Sequence, residues 1–144
     1  MKLEFAILAN AASVAPNGLI SMIDGGLEWL TAPSFPATQP SMTLVARIVF
    51  LPEECGRKYV LRTRIVAPTG DTLDPSIEVP FEAKRHAKFP KDKSASTTFA
   101  LTFLNVRFPA PGEYAIRIAI DRKKVGRFVF EAVQEKRSKQ SSGG

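Results

Sequence analysis

The residues best suited to binding chemistry form a short cationic stretch, residues 84–93, with the sequence KRHAKFPKDK. Lysine and arginine neutralise phosphates, and an aromatic ring beside them can stack on a base. A cationic run carries no sequence readout by itself, so the alternative is a solvated linker between two strands. The candidate anion-binding residues are Lys84, Arg85, Lys88, Lys91 and Lys93, with Phe89 as the stacking ring.

The C-terminal segment, residues 135–144, is polar and basic and ends in Gly143 and Gly144. Such a segment buries too little apolar surface to offset the entropy of ordering, so we expect a disordered tail after a folded domain of residues 1–134. A flexible Gly-Gly end is also what ubiquitin-like modifiers present for adenylation. Conjugation through Gly144 is therefore one hypothesis, although the central helix of those modifiers is not evident in this sequence.

The chain contains few residues of the types that catalysis and metal binding require. His86 is the one histidine and Cys55 the one cysteine, which excludes multi-histidine metal sites, histidine-based triads and an internal disulfide. Cys55 follows two glutamates, whose negative charges disfavour a reactive thiolate. The remaining acidic residues are scattered, so we predict a protein that is not an enzyme and has no cofactor and no metal.

The length and charge of the chain limit the classes of fold and of binding partner that remain. The chain has 144 residues, of which 44% are hydrophobic and 24% charged, as expected for one globular domain. Twenty Lys and Arg against fourteen Asp and Glu give a net charge of +6. This excess favours contact with an anionic surface, whether nucleic acid, lipid headgroups or an acidic protein.

The N-terminal residues resemble either a first strand or a short secretory signal. Leu3, Phe5 and Ile7 alternate with their neighbours as in a half-buried strand, and Glu4 interrupts the apolar run that a signal would need. We therefore expect a strand here and a cytoplasmic protein. No apolar run approaches the roughly 18 residues of a membrane-spanning helix, so no membrane span is expected.

Elsewhere, short period-two runs alternate with turns marked by Pro and Gly, which predicts an all-β protein. In the fifth run, Leu61, Thr63 and Ile65 share one face, and Arg62 and Arg64 share the other. The predicted strands are 2–9, 18–24, 27–31, 43–51, 58–67, 76–82, 96–104, 113–121 and 125–133. The predicted core is Phe5, Ile7, Leu44, Ile48, Phe50, Leu61, Ile65, Phe99, Leu101, Phe103, Tyr114, Ile116, Ile118, Phe128 and Phe130.

The segment Pro109–Tyr114 is the most specific architectural signal. A tyrosine two residues after a turn glycine, at the start of a strand, suits a corner in which the phenol hydroxyl bonds back to the preceding loop. The alternating Ile116, Ile118 and Ile120 follow it. Together these residues predict the last hairpin of a single immunoglobulin-like antiparallel β-sandwich of about nine strands.

Several segments resemble a family of uncharacterised small bacterial and phage-borne β-sandwich proteins. Its members open with K-x-E-F-A-x-L-A-[DN]-A-A and close with F-P-x-P-G-x-Y. The corresponding segments are residues 2–12, the pair Gly25-Gly26, residues 32–36, residues 44–47 and residues 108–114. The resemblance spans about residues 2–133. It departs in having Asn10 at the [DN] position, where Asp is expected, and in its basic loop and tail. It implies the sandwich fold and no assigned activity.

We therefore predict a non-enzymatic protein-interaction module of unknown partner. The candidate protein contacts are Trp29, which either caps the core or is exposed, and Phe35 in the proline-rich segment that follows it. Binding of nucleic acid or another polyanion through residues 84–93 and the tail is the first alternative. Conjugation through Gly144 is the second.

Overall fold

The computed structural model describes residues 1–85, 90 and 92–136 of the chain. In this part of the chain there are nine β-strands, one 3₁₀ turn at Pro52–Glu54 and no α-helix. The strands are β1 (Lys2–Val14), β2 (Ile20–Gly25), β3 (Trp29–Ala32), β4 (Ala37–Phe50), β5 (Lys58–Val66), β6 (Thr72–Glu82), β7 (Ala95–Phe108), β8 (Gly112–Ile120) and β9 (Lys123–Gln134).

The strands form two sheets. Sheet A has the order β2-β1-β4-β7, and sheet B has the order β3-β9-β8-β5-β6. The pairings between described strands are antiparallel, apart from β3, which runs parallel to β9. The predicted all-β sandwich of about nine strands is confirmed, and each predicted strand has a counterpart.

The core lies between the two sheets, where alternate residues of each strand point inward. One end is filled by the rings of Phe108, Tyr114 and Phe130, and the other by Phe50, Tyr59, Phe81 and Phe99. The inward face of β5 is as predicted. Buried residues that the sequence analysis did not place in the core include Leu8, Met42, Ala46, Tyr59, Val106, Phe108 and Ile120.

Strand β1 differs most from its prediction. It extends to Val14 rather than residue 9, and its register with β4 shifts between Leu3 and Phe5. This β-bulge reverses the alternation, so that Leu8 enters the core while Phe5 and Ile7 are only half-buried and face outward. The prediction that Phe5 and Ile7 belong to the core is therefore wrong. Phe128 is likewise half-buried, although it packs against the core.

The predicted corner at Tyr114 is confirmed. The side chain is fully buried, and its hydroxyl donates a 2.6 Å hydrogen bond to the carbonyl oxygen of Ala110. Its ring meets those of Phe108 and Phe130 at centroid distances of 4.9 and 5.9 Å. Gly112 has a φ of +144°, and a Cβ there would lie 2.8 Å from Pro68, so the corner requires glycine at this position.

Replacing the buried phenol tests this corner. Tyr114→Phe removes one buried hydrogen bond and should lower the free energy of unfolding by about 1 kcal/mol. Urea denaturation measures this change. Tyr59→Phe is the comparison, because the Tyr59 hydroxyl donates a 2.8 Å bond to the carbonyl of Glu54 and should give a loss of similar size. An unchanged urea midpoint for Tyr114→Phe would contradict the corner.

Alkaline pH gives a second test. Burial raises the pKa of Tyr114 above its usual value of 10.0, although the 3.4 Å hydrogen bond that the Ala110 N–H donates to the phenol oxygen opposes this. The folded state therefore holds the phenol proton more tightly than the unfolded state. That stabilisation is complete below the unfolded pKa and is lost as pH rises through the folded pKa. We expect the free energy of unfolding to fall more steeply above pH 10 in the wild type than in Tyr114→Phe, and equal slopes would contradict this.

Candidate functional site

The outer face of sheet A is a surface with little charge. Its central rows are Ile7, Val45 and Ala100, and next to them Ala9, Thr43 and Thr102. A row of Phe5, Arg47 and Thr98 lies toward one end, before the row of Lys2, Val49 and Ser96, and Ala11, Ile23, Ser41 and Leu104 lie toward the other. We call these residues, apart from the row of Lys2, the neutral face; it has thirteen residues, and Arg47 is the one charged residue among them.

Short contacts hold the neutral face together. The Arg47 guanidinium lies over the Phe5 ring, 5.0 Å from its centroid, and its Nε donates a 3.0 Å hydrogen bond to Thr98 Oγ1. The hydroxyls of Thr43 and Thr102 are 2.9 Å apart and share a hydrogen bond. The polar groups at these positions are therefore largely satisfied within the face, which leaves it flat and weakly polar.

Two aliphatic side chains protrude from the neutral face. Ile23 on β2 is 64% exposed and Leu104 on β7 is 58% exposed, so they mark the two edges of the sheet. Val45, in the row of Ile7 and Ala100, is fully buried by its neighbours although it points outward. The face is thus a weakly polar strip with an exposed aliphatic residue on each edge and Ala11 and Ser41 between them.

The two predicted protein contacts have different environments. Trp29 is 58% exposed on β3, at the edge of sheet B, beside Glu131 and near the exposed Val129 and Val133. Phe35 is half-buried and packs against the core, where it lines a cavity of about 40 Å³. Trp29 is therefore available to a partner, whereas most of the Phe35 ring is engaged internally.

The outer face of sheet B is basic. Arg64 on β5 is directly opposite Arg117 on β8, and Arg117 is directly opposite Arg127 on β9. Paired residues in a sheet project from the same face, so these exposed side chains form a row across three strands. We call Arg64, Arg117 and Arg127 the arginine row.

A groove of about 440 Å³ runs beside this row. The side chains that give it its charge are Arg62, Arg64, Arg117, Arg122 and Lys124. We call it the basic groove. Among the described residues, Arg62 Nε pairs with Glu78 at 2.5 Å, and no recorded salt bridge involves the other four cations.

Alternation in β5 predicted that Arg62 and Arg64 point outward, and the structure confirms this. It did not predict that Arg117 lies beside them. The β8–β9 hairpin turns at Asp121 and Arg122, both with positive φ, and its register then shifts by one residue after Ile118. Without this shift Arg117 would be opposite Gly126. A glycine within a strand often indicates a bulge, so Gly126 was the available signal.

Comparison with known families shows which family the chain belongs to. Residues 4–133 match the sequence model of the family described as "Family of unknown function (DUF6941)". The chain belongs to this family. The match contains β2 to β8 entirely and nearly all of β1 and β9, so both outer faces lie within the family region.

Other comparisons are weak. One solved structure that matches is a glycosyl hydrolase family 2 member from Bacteroides cellulosilyticus DSM 14838, at 17% sequence identity and a TM-score of 0.32. The match covers 66% of this chain and 13% of that chain, and at this similarity it carries no argument. No curated protein matches the chain.

The predicted basic loop lies within the family region but is only partly described. Lys84 and Lys93 are exposed, and Arg85 is half-buried, with its Nη2 donating a 2.6 Å hydrogen bond to the carbonyl oxygen of Lys93. Lys88, Lys91, His86 and Phe89 lie outside the described residues. The Arg85 guanidinium thus binds the backbone of its own loop, and anion binding through this loop stays a prediction.

The other predicted features give no assembled site. Cys55 is half-buried, with its Sγ 3.5 Å from the carbonyl oxygen of Leu51. Within the described residues there is no group of three or more metal-ligating side chains, and no helix has the length and apolar character needed to cross a bilayer. Gly143 and Gly144 lie outside the described residues and beyond the family match.

The neutral face predicts an unusual pattern of stability. Leu8→Ala should lower the free energy of unfolding by about 2–5 kcal/mol, because it opens a cavity in the core. Phe5→Ala should lower it by only about 1 kcal/mol, because the ring is half-buried on the outer face, where the Arg47 guanidinium lies over it. Urea denaturation of both variants checks this difference. A loss for Phe5→Ala as large as that for Leu8→Ala would contradict the bulge in β1.

Proposed function

We propose that the chain is a non-enzymatic protein-interaction module and that its partner docks on the neutral face. The observation that carries this proposal is the weakly polar strip of the neutral face, with the exposed aliphatic side chains of Ile23 and Leu104 at its two edges. An antiparallel sheet that packs on a core with one face usually presents polar side chains on the other. Here the neutral face of sheet A carries one charged side chain, and its other polar groups are the small hydroxyls of Ser and Thr, which is closer to the pattern of a sheet that is covered on both sides.

The size of the strip supports a helical contact. Four strands span about 14 Å between the outer strand axes, and six residues along β7 span about 20 Å. This footprint matches a single amphipathic helix of about 13 residues, which is about 20 Å long and 10 Å wide. We therefore propose a partner that presents the apolar side of a helix.

Charge supports an apolar rather than an acidic contact at this face. The chain carries a net charge of +6, yet Arg47 is the one charged residue of the neutral face, and its guanidinium is occupied by Phe5 and Thr98. A partner selected by electrostatic attraction would be drawn elsewhere on the protein. At this face the desolvation of aliphatic groups is the main favourable contribution to the free energy of binding.

The proposal includes the origin and the cellular location of this module. We propose a bacterial or phage origin from the opening motif at residues 2–12 and the closing motif at residues 108–114. We propose a cytoplasmic location because Lys2–Val14 form an interior strand of sheet A and are therefore part of the folded domain rather than a cleaved segment.

Affinity capture with matched variants tests the docking face. The tagged wild type should capture one stoichiometric protein from an extract of its source organism, and Ile23→Asp combined with Leu104→Asp should not, because two carboxylates would be buried at the contact. Leu19→Asp combined with Leu51→Asp is the control. It adds the same charge at exposed apolar positions outside the neutral face and should retain the partner.

Mass spectrometry and circular dichroism complete this experiment. Both double variants should keep the strand-dominated spectrum of the wild type, since all four positions are exposed. Retention of the partner by Ile23→Asp with Leu104→Asp would contradict docking at the neutral face. A covalent adduct that survives denaturation, and disappears when Gly143 and Gly144 are deleted, would instead support conjugation.

A further inference from the structure

We propose that the basic groove of sheet B binds a compact oligophosphate, that is, an anion with two or more adjacent phosphate groups. The proposal rests on the outer face of sheet B and is independent of the neutral face on the opposite sheet. Two observations carry it: the register that aligns the arginine row, and the basic groove, which Arg64 and Arg117 of that row line.

The arginine row is unfavourable without a ligand. Like charges directly opposite each other on neighbouring strands destabilise a sheet, and here two such pairs share Arg117. The neighbouring outward positions on β8 are Ala115 and Ala119, which carry no charge. On β6 the exposed Asp74 follows Leu73 beside Arg64, but within the described residues it forms no salt bridge with the row. A bound anion would convert this repulsion into charge-assisted hydrogen bonds, which are the strong class.

The groove is suited to several guanidinium contacts at once. Arg64, Arg117, Arg122 and Lys124 line it together, while Arg62 is held by Glu78. Arginine presents a planar fork that matches phosphate oxygens in pairs. The volume of about 440 Å³ lies in the ordinary range for small-molecule sites and is too small to enclose a folded partner.

The chemistry favours phosphate groups over an acidic peptide. An extended peptide presents side chains to one face every second residue, about 6.6 Å apart, so only one or two carboxylates would reach the groove. Each phosphate group carries up to about two negative charges in a smaller space. The described lining contains no aromatic ring that could stack on a base, so recognition should depend on the phosphates alone.

Isothermal titration calorimetry of the full chain tests the ligand class. The probes are inorganic triphosphate, orthophosphate, ATP and a single-stranded DNA 20-mer. We expect triphosphate to bind more tightly than orthophosphate by about tenfold or more, because it engages more guanidinium groups. ATP should bind within about threefold of triphosphate, because the base finds no stacking partner.

A charge-matched pair of variants locates the site. Arg64→Gln with Arg117→Gln removes two positive charges from the groove, and Lys88→Gln with Lys91→Gln removes two from the predicted basic loop. Each leaves a net charge of +4, which is the wild-type +6 minus two. We expect the groove variant to weaken triphosphate binding by about tenfold or more and the loop variant by less than about twofold.

The unliganded groove variant provides a second readout. Removing the charge of Arg64 and Arg117 should raise the urea midpoint, because it relieves repulsion between neighbouring strands. A purely structural role for these arginines would instead lower the midpoint. The loop variant should leave it unchanged.

The remaining outcomes would overturn the proposal. Equal weakening by both variants would mean that triphosphate responds only to net charge. A DNA 20-mer that binds more than about tenfold tighter than triphosphate, with the loss confined to the groove variant, would identify a nucleic-acid backbone as the ligand. No heat of binding with triphosphate in low salt, where electrostatic attraction is strongest, would exclude the site.

Discussion

The contact between Leu3 and Gly126 joins the two irregularities on which both outer faces depend. Leu3 immediately precedes the bulge in β1, and Gly126 follows the register shift of the β8–β9 hairpin. A Cβ on Gly126 would overlap the Leu3 side chain, so the sheets approach each other here only because residue 126 is glycine. The two bulges therefore meet across the interior and constrain each other.

Each bulge shifts the register by a single residue and so changes which side chains lie on an outer face. In β1 the bulge divides the apolar residues between the two sides of sheet A. Leu3 and Leu8 point inward, and Phe5 and Ile7 point outward. In the hairpin the bulge brings Arg117 opposite Arg127 instead of Gly126. Because side chains alternate with period two, no smaller change in the backbone could have moved these groups. The surface properties are thus consequences of backbone register rather than of composition.

The parts of the fold that sequence could predict are those governed by local chemistry. Turn residues and alternating side chains identified all nine strands, and the spacing from Gly112 to Tyr114 identified the corner. The neutral face and the arginine row could not be found in this way. They depend on pairings such as Phe5 with Arg47 and Arg64 with Arg117, which join residues more than forty positions apart. They depend also on the bulges in β1 and in the β8–β9 hairpin, which alternation alone does not show.

Asn10 shows how a departure from the expected pattern can be understood once register is known. Its side-chain amide donates a 2.8 Å hydrogen bond to the Asp24 carboxylate on the neighbouring strand, and Asp24 has a positive φ. An aspartate at position 10 would bring two carboxylates together, which opposes pairing. The residue at position 10 is therefore coupled to the residue at position 24 and not to the core.

The segregation of charge between the two sheets allows two independent binding events. The neutral face and the arginine row lie on opposite sides of a core about 10 Å thick, and exposed charges separated by more than about 8 Å are largely screened at physiological salt. A partner on sheet A therefore would not be repelled by the basic groove, and an anion on sheet B would not be displaced by the partner. Any coupling between the two must pass through packing, and the contact of Leu3 with Gly126 is the direct route from one bulge to the other.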